Sequence, residues 1–134
     1  MGDAVLRVQV QRRFSDLDPL GHVNNVIFYD YLQEARVGLL KSLGRAELSD
    51  ITFVVVRQEL NFRKPLLYHP DPVTIETWVG RVSNSSYTIE YRILDESGDV
   101  VADGDTLLAA IDLETGRPIR IDPDLREQLL ALIP

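Results

Sequence analysis

The chain has no cysteine, a single methionine, a single tryptophan and two histidines among its 134 residues. Without cysteine there are no disulfides, no thiolate metal sites and no cysteine nucleophile. Two histidines supply a zinc site poorly, and no metal is expected. Positive charge is scarce as well: 14 lysines and arginines against 21 aspartates and glutamates leave a net charge of −7. Phosphate-backbone binding needs a basic footprint, so this charge argues against nucleic acid as the natural partner, and none is expected. A phosphate-bearing small ligand, held by a few local arginines, is not. No apolar run approaches the length of a membrane span. The N-terminal stretch MGDAVLRVQVQRR alternates and carries charge, unlike a secretory leader. A cytoplasmic protein without membrane association is expected.

What is present is ordinary globular material, 45% apolar and 26% charged. Its length suits one domain over residues 1–134, large enough for a substantial core. From Val5 to Phe14 the pattern alternates, with Leu6, Val8, Val10 and Phe14 on one face, as in a half-buried strand. A loop follows, and then Phe28, Leu32, Ala35, Leu39 and Leu43 recur at steps of three and four, widened by Ile27, Tyr31 and Leu40. This spacing predicts a helix of roughly twenty residues, about 30 Å long. Asn24 or Asn25 suits its N-cap and Gly44 its end. Four alternating segments complete the pattern: Val54 to Arg63, Val73 to Val82, Tyr87 to Leu94 and Val100 to Ile111. "SNSS" and "DESGD" between the last three read as hairpin turns. Asp122-Pro123 opens a short terminal helix carrying Leu125, Leu129 and Leu130. Strand, long helix and four strands with short connections indicate an α+β fold, an antiparallel sheet curling around the helix. The strand Val100 to Ile111, or another with an open edge, is expected to pair across a two-fold axis.

The loop "SDLDPLGHVNN", Ser15 to Asn25, holds more hydrogen-bonding chemistry than a connection needs. Backbone N–H groups at a helix start are orphan donors suited to a developing oxyanion, and a nearby carboxylate can serve as base or nucleophile. Asp18-Pro19 is equally a common turn element. The acids Asp16 and Asp18 also open like a calcium loop, but its remaining ligands are missing. On the helix, Asp30 and Glu34 share a face and offer rival carboxylates, although they read more simply as its polar stripe, with Arg36 able to pair with either.

"SDLDPLGHVNNVIFYDYLQEAR" resembles the loop-and-helix signature of hotdog-fold acyl-CoA thioesterases of the 4-hydroxybenzoyl-CoA thioesterase type. "NFRKPLLYHPDPVTIETWV", "SSYTIEYRI" and "VADGDTLLAAIDLETGRPIRI" are similar to the family's successive strands, in order, so the resemblance spans about Leu6 to Leu130. It implies a hotdog fold, a homodimer or homotetramer, and hydrolysis of a small-molecule acyl-CoA at a subunit interface, coenzyme A entering only as part of the substrate. The family's catalytic aspartate falls on Asp18 and its oxyanion donor on the backbone N–H near Asn25, while Asp16 shapes the loop. Gly21, His22 and Asn24 belong to the substrate loop, His22 more as a structural contact than as a proton carrier. A hydratase would want a histidine and an acid opposed, for which His22 and His69 are poorly spaced. Candidates for the phosphates are Arg57, Arg63, Lys64, Arg81, Arg117 and Arg120. In some members the turn matching Ser83 to Ser86 is basic and grips nucleotide phosphate. Here it is neutral, leaving the hydroxyls and N–H groups of Ser85 and Ser86 for that role. A non-catalytic module binding an acyl thioester or another apolar ligand is the alternative function.

Overall fold

The computed structural model describes residues 4–45 and 53–134. Its elements are β1 (Leu6–Val10), α1 (Ile27–Ser42), β2 (Phe53–Phe62), β3 (Val73–Val82), β4 (Ser86–Leu94), β5 (Val100–Ala110) and α2 (Pro123–Leu130). The strands form one antiparallel sheet in the order β1-β3-β4-β5-β2. This is the α+β hotdog arrangement expected, a curved sheet against one long helix.

Helix α1 buries Phe28, Tyr31, Leu32, Ala35, Leu39 and Leu40, a stripe at helical spacing. Opposite them lie Val73, Ile75 and Val79 of β3, Ile89, Tyr91 and Ile93 of β4, and Val101, Ala102, Leu108 and Ala110 of β5. The helix has 16 residues, shorter than expected, because a separate turn precedes it and Gly44 closes it. Neither asparagine caps it through its side chain. Instead Asn24 Oδ1 accepts from the Val26 N–H at 2.9 Å, closing the turn that leads into α1. In α2 the Asp122 side chain caps the Leu125 N–H; Leu125 and Leu129 are buried, and Leu130 faces outward.

Three expectations are corrected. Strand β1 ends at Val10, and Phe14 stands 80% exposed on a short 3₁₀ turn rather than on the core face. Arg12 takes the buried place, donating to the carbonyls of Leu67 and Asp71 and pairing with Glu96. The strand Val100 to Ala110 is interior, between β4 and β2, so it has no open edge. The edges are β1 and β2. Strand β2 carries a bulge at Val56 and exposes Val54, Val55, Val56 and Phe62. Gly104 lets β5 approach it closely: a Cβ there would stand 1.9 Å from the Glu59 carbonyl oxygen. Among the described residues no helix is long and apolar enough to cross a membrane.

Candidate active site

The loop from β1 to α1 is tied down on both sides. Asp16, buried, accepts from the Arg13 N–H at 2.9 Å and from the Tyr31 hydroxyl at 2.7 Å, and pairs with the Arg13 guanidinium. Burial alone would raise the Asp16 carboxyl, but these donors together hold it below the usual carboxylate range. The Tyr31 phenol is pushed up by burial and by that carboxylate, so it stays protonated and donates. The Asn24 N–H reaches the Asp16 carbonyl, and the Val23 N–H reaches the Leu66 carbonyl at 2.7 Å. His22 bridges Leu67. The β2–β3 connection thereby becomes the loop's second wall.

Between these ties the chain turns once, at Asp18 to His22. The Gly21 N–H donates to the Asp18 carbonyl and the Asp18 N–H to the His22 carbonyl. Gly21 takes φ 81°, while no described non-glycine residue has a positive φ. This is a three-residue hairpin loop closed by a left-handed glycine. Asp18 Oδ1 accepts from the Leu20 N–H at 2.9 Å and the His22 N–H at 3.3 Å. The same turn recurs at Asp95 to Asp99: Asp95 Oδ1 accepts from Ser97 and Asp99, and Gly98 takes φ 85°. The turn is therefore a folding unit in its own right, and what distinguishes Asp18 is its second oxygen. Asp95 Oδ2 is held by Lys64 at 3.1 Å. Asp18 Oδ2 has no partner among the described residues.

Asp18 lines a cleft of ≈ 360 Å³ whose polar lining also includes His22, Asn25, Arg63 and Lys64. Val23, Phe28, Phe62 and Leu66 form its apolar side, with the Phe28 and Phe62 rings edge to face at 5.2 Å. The Asn25 N–H, just before α1, is engaged by no acceptor among the described residues. The cleft therefore combines a half-used carboxylate, an unused helix-proximal N–H and an apolar wall. Such a set can activate water and steady a negative oxygen.

The structure thus brings Asp18, His22, Asn25 and Arg63 together, with Gly21 and Asn24 in the turns on either side. Ser85 and Ser86 do not line this cleft, and the Ser86 hydroxyl is taken up by Ser83 within its own turn. Asp30 and Glu34 line a different hollow, beside Val10 and Arg13. Arg36 pairs with neither of them; it turns inward to Gln58. Of the six basic candidates, three are already neutralised. Arg57 meets Glu59 and Asp105, Arg63 grips both oxygens of Asp103, and Lys64 lies between Asp95 and Asp99. Arg81, Arg117 and Arg120 have no acidic partner among the described residues. The cleft residues that the sequence did not reveal are Val23, Phe28, Phe62, Pro65 and Leu66. Phe28 lies on the core stripe, and nothing local separates a core aromatic from a cleft wall.

The chain matches the family model described as the thioesterase-like superfamily over residues 12–129. It is 30% identical over 132 residues to the long-chain acyl-CoA thioesterase FadM of Escherichia coli (strain K12), covering 96% of this chain and 99% of that protein. Among solved structures, a thioesterase from Thermus thermophilus complexed with coenzyme A and Zn superposes with a TM-score of 0.83 at 34% identity, over 98% of this chain and 95% of that one. A predicted thioesterase from Bacillus stearothermophilus superposes with a TM-score of 0.87 at 26% identity, over 96% of each. The sheet order, the wrapped helix and these matches agree: the chain belongs to the thioesterase-like superfamily and has its hotdog fold.

Proposed function

We propose that the protein is a thioester hydrolase that cleaves acyl-CoA to a free acid and coenzyme A, by a route of the 4-hydroxybenzoyl-CoA thioesterase type. The observation that carries this reading is that Asp18 and Asn25 line one cleft, Asp18 with one carboxylate oxygen fixed by two N–H groups and the other without a partner among the described residues, Asn25 with its N–H unengaged. As a base, Asp18 Oδ2 takes a proton from water while the water oxygen bonds to the thioester carbon. The carbonyl oxygen becomes negative and is met by the Asn25 N–H. Collapse breaks the carbon–sulfur bond, and the departing thiolate recovers the proton from Asp18. As a nucleophile, Oδ2 would bond to that carbon itself, and the carbon–sulfur bond would break to release the thiolate. Water would then open the resulting anhydride, restoring the Asp18 carboxylate and leaving its second proton to the thiolate. The likeness to a long-chain acyl-CoA thioesterase and to a structure holding coenzyme A supports the substrate class. Phe28, Phe62 and Leu66 offer an apolar wall to the acyl group.

The coenzyme's phosphates fall to Arg81, Arg117 and Arg120, the candidates whose charge is not already spent. The segment carrying the last two lies beside the Ser83–Ser86 turn, since the Ile121 N–H donates to Asn84 and the Ala110 N–H to Ser85. Arg126 also donates to the Ser83 carbonyl. Local arginines thus compensate for a turn whose own sequence is neutral. The assembly is a dimer through the β2 edge, or a multiple of it; the exposed valines at 54, 55 and 56 support that face. The test is thiol release from a series of acyl-CoAs by the native protein and Asp18→Asn. Turnover lost in the variant supports the assignment; no turnover by the native protein on any of them favours a binding module.

A further inference from the structure

Arg12 lies between β1 and Asp16, and its side chain is fully buried, whereas that of its neighbour Arg13 is mostly exposed. Taking a guanidinium out of water is costly, and here the cost is only partly offset. Nη1 donates to the Leu67 carbonyl at 2.8 Å and to Glu96 Oε1 at 3.1 Å, and Nη2 donates to the Asp71 carbonyl at 2.7 Å. Nε is the one buried side-chain nitrogen or oxygen left without a partner among the described residues. A buried ion pair with an unmet donor is a poor device for stability, since apolar packing of the same volume avoids the desolvation altogether. What the guanidinium does, and no apolar side chain can, is hold three separate groups with one rigid fork.

Two of those groups lie in the connection from β2 to β3, which contains no helix or strand between Phe62 and Val73. Gln11 grips the same segment, its Nε2 donating to the Pro70 carbonyl at 2.8 Å. The site loop is paired to it as well: the Leu66 carbonyl accepts from the Val23 N–H, and Leu67 bridges to His22. His22 in turn closes the Asp18 turn. Its N–H donates to Asp18 Oδ1, and its carbonyl accepts from the Asp18 N–H at 2.8 Å. The path from Arg12 to the carboxylate therefore runs through Leu67 and His22, along backbone contacts until the last oxygen. Glu96, the third group, sits in the β4–β5 turn, whose Asp95 and Asp99 hold Lys64. Lys64, Pro65 and Leu66 line the Asp18 cleft, and Arg12 does not. One buried cation thus ties the start of the site loop, the far wall of the cleft and the end of the sheet to one another.

We propose that Arg12 is a positioning residue for the Asp18 cleft: by holding the Leu67 and Asp71 carbonyls it sets the β2–β3 connection, and through the Leu67–His22 pairing it sets Asp18 relative to the Asn25 N–H. The proposal rests on the reading of that cleft as the hydrolytic site. Catalysis depends steeply on such placement, a shift of about 1 Å costing about 10²-fold. Binding of the coenzyme and the acyl chain is spread over many contacts and tolerates the same shift. The expected signature is a fall in kcat at nearly constant KM, which a loss of folded protein alone does not produce.

The experiment compares acyl-CoA hydrolysis and thermal unfolding in Arg12→Lys, Arg45→Ala, Asp18→Asn and the native protein. Arg12→Lys keeps a cation for Glu96 but replaces the fork by a single point donor, which cannot span the two carbonyls as the guanidinium does. Its kcat per folded protein should fall at least about tenfold, with KM changed less than about twofold. Arg45→Ala gives up contacts with Gln128 and Asp122 beyond the end of α1, and should lose stability with kcat intact. Should Arg12→Lys fail to fold, Glu96→Ala withdraws one group from Nη1 and leaves both carbonyl contacts, and should lower kcat at least about threefold at constant KM. Native kcat in the folded fraction of these variants would overturn the proposal. So would a raised KM at constant kcat, or an equal fall in kcat for Arg45→Ala. If Asp18→Asn loses turnover while Arg12→Lys keeps it, the catalytic reading stands and the positioning role falls. If Asp18→Asn keeps its turnover, the catalytic reading falls and the role of Arg12 falls with it.

Discussion

The Tyr31 hydroxyl donates to Asp16 Oδ2 across 2.7 Å, joining the start of the site loop to the N-terminal part of α1. Both side chains are buried. The loop that carries Asp18 is therefore held by an acid that takes no part in lining the cleft.

Tyr31→Phe removes one charged hydrogen bond and should cost about 1.5–3 kcal/mol. The Asp16 carboxyl is held below its ordinary pKa in the folded state, so its stabilisation is present above the unfolded pKa and is lost as pH falls through the folded one. Native protein should lose stability on acidification, and Asp16→Asn should start lower and lose less over the same range. Urea unfolding of both proteins, followed from neutral to acid pH, measures this. Parallel curves would contradict it.

Asp18→Asn keeps an oxygen for the Leu20 and His22 N–H groups, so the melting temperature should change little. It lacks the proton-accepting or nucleophilic oxygen, so kcat should fall by about 10²-fold or more. Thiol release and a thermal melt on the same preparation give the two numbers. Near-native turnover would move the chemistry to another carboxylate.

Gly21 and Gly98 occupy equivalent places in the two matching turns, both with positive φ and open space where a Cβ would go. A valine in either faces the same backbone penalty, about 1–3 kcal/mol. Gly21→Val should lose turnover well beyond its loss of folded protein, whereas Gly98→Val should lose stability alone. Equal kcat in the folded fractions of the two variants would show the Asp18 turn to be scaffolding.

Arg81→Ala, Arg117→Ala and Arg120→Ala combined should raise KM for acyl-CoA while leaving a short acyl thioester without the nucleotide unaffected. Arg63→Ala, which removes a cation already gripped by Asp103, should change the comparison less. Steady-state kinetics on both substrates decide between the two sets.

Val56→Lys places a charge on the exposed bulge of the β2 edge. It should shift the protein toward monomer in sedimentation velocity and lower turnover with it. An unchanged oligomer would put the interface elsewhere.

The order of elements, the helix stripe and the two hairpin turns were legible in the sequence because each depends on spacing over a few residues. So was the site loop: an aspartate followed three residues later by glycine specifies its turn by local hydrogen bonding. The same local rule built the turn at Asp95, and no local feature separates the two. Only the fold does, by bringing Lys64 to Asp95 Oδ2 and setting Asp18, with its Oδ2 unpartnered, in the lining of a cleft. The same limit explains the corrections. Alternation put Phe14 with the core, but β1 ends before it and the buried place goes to Arg12, whose partners are 55 or more residues away. Strand order decided that β5 is interior and β2 an edge. Ion pairing across neighbouring strands decided which arginines remain free, and the inward turn of Arg36 depends on Gln58, Tyr91 and Thr106 from three strands. Periodicity records which face of an element is apolar; which charge is neutralised and which donor is left open depends on groups distant in the chain, and only packing brings those together.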